Sequence, residues 1–362
     1  MKPYIVAFLT CIALIFSMGL LMVFNTTAAE VLDRALERST HHALIKQLLY
    51  AMVGGLSAIG VSFLGYKQIL RLSPFFLLFS TLLLVLVFIP GIGQQINGAY
   101  RWVAIFGNSL QPSEFVKYLI PLYFIHVTTT SGTMSLKKFL KVMGMLAIPI
   151  GLILVEPDNG TVAIILATLV ALFLLTRIKW SYWALPLGVF LILGIGVASQ
   201  MPHVSDRIRV YLHPELDLKG KGHQPFQSKI AAGSGKLWGK GLGESLQKLD
   251  YLPEARSDYI AAIYAEEFGF IGMLGLLIAY LTVGFLGVSM AGKVHDLSGF
   301  YIIAIFTFLI CFQAFLNLGV VSGLLPSKGI NLPFFSQGGS SLLASFMAVA
   351  LIINITKEKV YA

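Results

Sequence analysis

Charge is what this sequence lacks. Of 362 residues only 12% are Asp, Glu, Lys or Arg, about half the roughly 25% of an ordinary soluble domain. Hydrophobic residues make up 57%, too many for a water-soluble coat. Cysteine is nearly absent. Cys11 and Cys311 both lie inside apolar runs, so neither a disulfide framework nor a cysteine metal site is indicated. The chain also has no low-complexity tract, no internal repeat and no stretch that reads as a soluble domain.

What it does have is a succession of apolar runs, each close to the roughly 20 residues a helix needs to cross a bilayer. They predict an all-α integral membrane protein with ten transmembrane helices, at about 4–25, 44–65, 73–90, 113–130, 138–155, 160–177, 181–199, 258–291, 298–322 and 338–355. These form a single polytopic domain over 1–362, with a large extracytoplasmic loop at about 200–257. The first run, Tyr4 to Phe24, exceeds the apolar core of about 7–15 residues in a signal peptide and is read as a retained span.

Ten spans put both termini on one side. With the termini in the cytoplasm, inner segments carry eleven Lys and Arg residues; the short outer loops carry five, Arg34, Arg38, Lys46, Arg101 and Lys328. That is the positive-inside bias. The net charge of +9 is accordingly a topology signal, and nucleic-acid binding is a poor reading of it. In the large loop, "GSGKLWGKGLGES" resembles a phosphate loop at a glance. The spacing from Gly235 to Lys240 is one residue short, and Gly241 stands where Ser or Thr belongs. A flexible or turn-rich loop is the better expectation.

Ionisable residues kept beside spans are the functional leads, because a charge at the bilayer centre costs about 2.5–3.5 kcal/mol or more. Four stretches qualify. In residues 97–124, Arg101, Gln111, Glu114 and Lys117 form a polar cluster at the outer ends of two spans. Glu114 and Lys117 share a helix face, and Arg and Lys suit a phosphate. In "LVEPDNGTV" Asp158 is a turn residue that faces the outer surface. In "YLPEARSDYIAAIYAEEFGFIG" Ser257 is a helix cap, and Asp258 follows in the first turn. Asp258, at the mouth and beside Arg256, is expected to stay ionised and to serve as a general base. Glu266 and Glu267, two turns deeper, need a partner, a cavity or water. In residues 316–342 Asn317, Gln337 and four serines, Ser340 among them, surround two spans. The Gly338-Gly339 pair there permits close helix packing or backbone amides turned to an anion.

These four stretches, in this order, resemble the FtsW/RodA/SpoVE family of shape, elongation, division and sporulation proteins. The segments that carry the resemblance are "GAYRW" with "QPSEFVK", "EPDNGT", "GKGLGESLQKLDYLPEARSDYIAAIYAEEFGFIG" and "LNLGVVSGLLPSKGINLPFFSQGGSSL". It spans most of the chain and is closest to the family's division branch. It implies a peptidoglycan glycosyltransferase that polymerises lipid II, the undecaprenyl-diphosphate-linked disaccharide-peptide, on the outer face of a bacterial cytoplasmic membrane at the division septum. The catalytic aspartate it implies is Asp258. Substrate-binding candidates are Arg101, Gln111, Glu114, Lys117, Asp158, Ser257, Glu266 and Ser340.

The chain departs from the family pattern at Arg256-Ser257, where His-Thr is usual, at Gln337 for tyrosine and at Glu156 for glutamine. A divalent cation such as Mg or Mn would assist the diphosphate, although no metal-ligand set is present in the sequence. The implied partners are a class B penicillin-binding protein transpeptidase and other division proteins. Rival readings are a flippase for lipid II and a non-catalytic division scaffold.

Overall fold

Apolar runs of this length become helices because only a helix satisfies every backbone N–H and C=O within one lipid-facing segment. The computed structural model describes residues 1–33, 39–96, 99–105, 107–130, 132–186, 188, 211–213, 217, 220, 222–249 and 252–361. In chain order the helices are α1 (Lys2–Asp33), α2 (His42–Leu64), α3 (Tyr66–Val87), α4 (Ser113–Thr130), α5 (Leu136–Val155), α6 (Asn159–Leu175), α7 (His223–Ser234), α8 (Ile260–Ala291), α9 (Leu297–Val321) and α10 (Gly339–Tyr361). Every expected run is helical where it is described; of 181–199 only 181–186 and 188 are described, and these are helical.

Among the described residues seven helices are long and apolar enough to cross a membrane. Of the remaining expected spans, α6 is apolar but shorter, and α4 carries Glu114 and Lys117. Large apolar side chains such as Phe63 (87% exposed) and Leu56 (62%) face outward, as they do when the solvent is lipid. The centre belongs to α9, whose Ile302, Ile303, Leu309 and Ile310 are each 0% exposed. This helix packs against α4, α6, α7, α8 and α10.

The all-α expectation needs three amendments. Residues 93–110 form an antiparallel sheet, β1 (Gly93–Ile96), β2 (Ala99–Ile105) and β3 (Asn108–Leu110), in the order β1-β2-β3. Gln94 pairs with Trp102 and Ala104 with Ser109. These segments are too short to span, and their backbone groups find partners by pairing with each other. The sheet presents Arg101 and leads the chain into α4.

The second amendment concerns the glycine-rich stretch of the large loop, which is ordered against α8. The Lys240 and Gly241 amides donate to the Glu266 and Glu267 carbonyls, and the Phe270 and Ile271 amides donate to those of Lys236 and Leu237. This pairing is possible because α8 breaks at Gly269 (φ 66°, ψ −165°). Gly239 (φ 81°) passes so close that a Cβ there would lie 2.1 Å from the Glu267 carbonyl oxygen. Only glycine fits both positions. The third amendment is at the helix start. α8 begins at Ile260 after Tyr259, which makes no side-chain cap, so Ser257 is not the expected cap and Asp258 precedes the helix.

Candidate active site

The even-numbered helices α2, α4, α6, α8 and α10 all begin at one end of the bundle, and a cavity of about 720 Å³ opens there. Its wall includes Arg101, Gln111, Glu114, Asp158, Ser257, Asp258 and Ser340. Seven of the nine candidate residues, drawn from four separate stretches of sequence, therefore meet at one place. Helix N-termini carry partial positive charge, so several of them aimed at one cavity favour an anion.

Asp258 is placed by its backbone. Asn317 on α9 donates from one Nδ2 to the Asp258 carbonyl (2.8 Å) and the Ile330 carbonyl (2.6 Å), tying the segment before α8 to the one before α10. Ser336 Oγ donates to the Ser257 carbonyl at 2.6 Å. The Ser257 hydroxyl donates to the Glu254 carboxylate at 2.6 Å. The expectation of an ionised aspartate beside a cation is modified in two ways. Arg256 is drawn to Glu30 at 2.8 Å, and burial pushes the Asp258 carboxyl up to about 7, with the Glu254 and Asp158 charges adding to the rise and Arg101 opposing it. A carboxyl near 7 is a stronger base than one near 4 and is still substantially ionised at neutral pH.

Asp158 caps α6. It accepts from the Thr161 amide (3.1 Å) and hydroxyl (2.8 Å) and from Gln111 Nε2 (3.2 Å). The Gln111 amide in turn donates to Ser340 Oγ at 2.8 Å, joining the starts of α4, α6 and α10. Arg101 Nε donates to the Glu156 carbonyl (3.0 Å) and Nη2 to the Pro157 carbonyl (2.9 Å). Among the described residues, two of its five N–H donors are thus used to fix the guanidinium at the wall. Glu156 itself is 0% exposed, and both its carboxyl oxygens lack a hydrogen-bond partner. Burial pushes it up to about 8, the Asp158 charge adds to this, and Arg101 opposes it.

Two expected residues are elsewhere. Lys117 is 1% exposed; it pairs with Glu114 and donates to Gln313 Oε1 at 2.8 Å. The wall at this point is Glu114, so Lys117 acts on the cavity through its neighbour. Glu266 is 0% exposed and off the cavity wall. It accepts from Lys240 Nζ, Ser245 Oγ, Ser234 Oγ and the Leu246 and Gln247 amides. Of the partner, cavity or water that the deep acids need, the structure supplies a partner.

Lys46, Glu254, Asn331 and Gln337 also line the cavity. Lys46 was legible only as an outer-loop charge, although it and Tyr50 share a helix face. Glu254 lies in the same turn-rich segment as Asp258, and its place shows only once that segment is folded. Among the described residues no three His, Cys, Asp or Glu side chains are grouped to hold a metal ion, so the expected divalent cation has no protein ligand set there.

The FtsW/RodA/SpoVE family model, described as cell cycle protein, matches residues 6–361. A probable peptidoglycan glycosyltransferase FtsW of Trichlorobacter lovleyi is 35% identical, covering 98% of this chain and 94% of that protein. The FtsW of Coxiella burnetii is 36% identical (96% and 95%), and stage V sporulation protein E of Bacillus subtilis is 33% identical (96% and 95%). Among solved structures, a chain of a peptidoglycan synthase complex superposes with a TM-score of 0.78 at 24% identity, covering 97% of both chains. The rod shape determining protein RodA of Thermus thermophilus gives 0.70 at 23% identity (97% and 96%). These two establish the fold. On the family match and the extent of the sequence identity together, this chain belongs to the FtsW/RodA/SpoVE family, multi-pass proteins of the bacterial cytoplasmic membrane.

Proposed function

We propose that this protein is a peptidoglycan glycosyltransferase that polymerises lipid II, with Asp258 as its base and the division septum as its place of work. The observation that carries the reading is one carboxyl near neutrality in a polar cavity whose rim also holds a fixed arginine. One lipid II donates its sugar and the 4-hydroxyl of a second sugar attacks. Asp258 takes the hydroxyl proton, the oxygen forms the new bond at the anomeric carbon, and undecaprenyl diphosphate leaves with the bonding pair on the opposite face. A single displacement of this kind inverts the anomeric centre and needs one base, not the acid–base pair of an ordinary glycoside hydrolysis.

The leaving diphosphate needs positive charge where its own charge develops. Arg101, Lys46 and Arg256 are the cations at the wall, the last already paired with Glu30, and the starts of α4, α6 and α10 add their dipoles. Gln111 and Asp158 hold those helix starts in register, while Lys117, paired to Glu114, holds that carboxylate in place at the wall. In this reading the chain is one polytopic domain of ten spans. Both termini are cytoplasmic and the cavity opens to the outer face, where a class B penicillin-binding protein would crosslink the product.

The test is polymerisation of purified lipid II by the detergent-solubilised protein. Asp258→Ala should fold and insert with an unchanged melting temperature yet form no glycan strands. Wild-type product from that variant would overturn the assignment, and lipid II translocation without polymerisation by the wild type would favour the flippase reading.

A further inference from the structure

At the opposite end of the bundle two more cavities meet. The first, about 880 Å³, lies where α2 gives way to α3 and is lined by Lys67, Gln68, Arg71, Asn354, Lys357 and Glu358. The second, about 720 Å³, is an apolar groove between α1, α2 and α10, lined by side chains such as Ile12, Phe16, Ile59, Phe63 and Val349. Asn354 and Lys357 belong to the walls of both, so the polar and the apolar cavity adjoin.

The junction is firmly built. Asn354 accepts from the Tyr66 amide at 2.9 Å and donates to the Ser62 carbonyl at 3.0 Å, satisfying backbone groups freed at the break between α2 and α3. Lys67 is bound to Glu358 at 2.6 Å, which cancels one charge of each sign. Arg71 and Lys357 remain, both exposed, and neither forms an ion pair among the described residues. The polar cavity therefore carries two uncompensated positive charges.

Its depth in the membrane follows from helix rise. Along α2 the run from Lys46, at the candidate active site, to Leu64, at this pocket, climbs about 27 Å, close to the ~30 Å of hydrocarbon in a bilayer. The pocket thus sits at the headgroup level of the far leaflet. From Phe346 to Lys357 the apolar groove runs about 17 Å along α10, matching the half-thickness that one acyl chain fills.

We propose that the two cavities form one binding site for an anionic diacyl phospholipid of the leaflet opposite the candidate active site. Its phosphate lies between Arg71 and Lys357, and one acyl chain runs down the groove between α1, α2 and α10. Basic pockets between spanning helices recognise lipid phosphates through these charges, and the groove explains why a lipid occupies the site in place of free phosphate. Because α2 and α10 also line the candidate active site, the lipid would brace the same two helices from below.

The experiment is native mass spectrometry of the delipidated full-length protein, titrated with phosphatidylglycerol or phosphatidylcholine of identical acyl chains. We expect one phosphatidylglycerol retained about tenfold more strongly than phosphatidylcholine, given the contribution of two basic side chains near a lipid phosphate. Arg71→Gln with Lys357→Gln should erase that preference. Ile59→Trp, which fills the groove, should weaken both lipids alike; melting temperatures near wild type identify variants that are folded. Equal retention of the two lipids, or a double variant that keeps the preference, overturns the proposal. So does displacement by glycerol phosphate as effective as by phosphatidylglycerol, or stronger binding of undecaprenyl phosphate than of phosphatidylglycerol.

Discussion

Asp258 and Glu266 stand eight residues apart on one stretch of chain, yet their surroundings are opposite. Asp258 lines an open cavity, and like charges surround its carboxyl. Glu266 and Glu267 are almost wholly buried, 0% and 1% exposed. Lys240 and Lys248 pair with them, and amides and hydroxyls of the loop, with Asn25 of α1, bond their oxygens. A buried carboxylate with both oxygens bonded is a fastener, because moving it would strand its partners. A carboxyl short of partners beside a cavity has capacity left for a substrate. Acids at the mouth of one helix therefore divide into chemistry and structure by how completely they are bonded, a distinction that their spacing in the sequence does not reveal.

The sharpest way to break this comparison is to exchange the consequences. Removing Asp258 should cost about 10²–10⁴-fold in polymerisation rate, the usual contribution of a general base, with no change in melting temperature. Removing Glu267 should do the reverse. Lys248, whose side chain is 5% exposed, would be left buried without its partner, at a cost of about 3–5 kcal/mol. Thermal unfolding in detergent should register that loss, and Glu267→Leu with Lys248→Met should recover part of it. A Glu267 variant that melts normally but fails to polymerise lipid II would place this acid with the chemistry.

A smaller effect tests the charge environment of the base. With Asp258 pushed to about 7, kcat/KM should rise with pH through neutrality as the carboxyl deprotonates and level off above it. Glu254 is the first of the charges that raise it, after burial. Glu254→Gln should therefore move the rising limb to lower pH, by on the order of half a unit. An unmoved limb would mean that Glu254 does not act on the base.

How much of this was legible beforehand depends on the range of the interactions. The spans were readable because each is a local property of about 20 residues, and α8 was misjudged by only two residues at its start. Asp158 and Asp258 stood out as acids next to apolar runs. The sheet at 93–110 escaped notice because its pairing depends on partners across the strands. The order in "GSGKLWGKGLGES" was invisible for a related reason. Its glycines are set by a backbone crossing with Gly269, some thirty residues away. Lys117 was misassigned because its reach to Gln313 on another helix, 196 residues distant, cannot be seen from its i, i+3 partner alone.

The subtlest contrast sets Glu156 against Asp158, two residues on. Asp158 is saturated with donors, whereas Glu156 has none for either oxygen. Folded, Glu156 keeps its proton up to about pH 8, whereas its ordinary value is 4.5. Between those values the folded state binds more protons than the unfolded one, so stability falls as pH rises across that window. Glutamine does not titrate and has nearly the same shape. Glu156→Gln should therefore melt like the wild type near pH 4 and a few degrees above it by pH 8. At pH 7, where Glu156 is already largely neutral, polymerisation should change little. A melting difference that is constant across pH would show that the Glu156 carboxyl finds a partner for its charge, and the division between saturated and unsatisfied acids would then fail at this position.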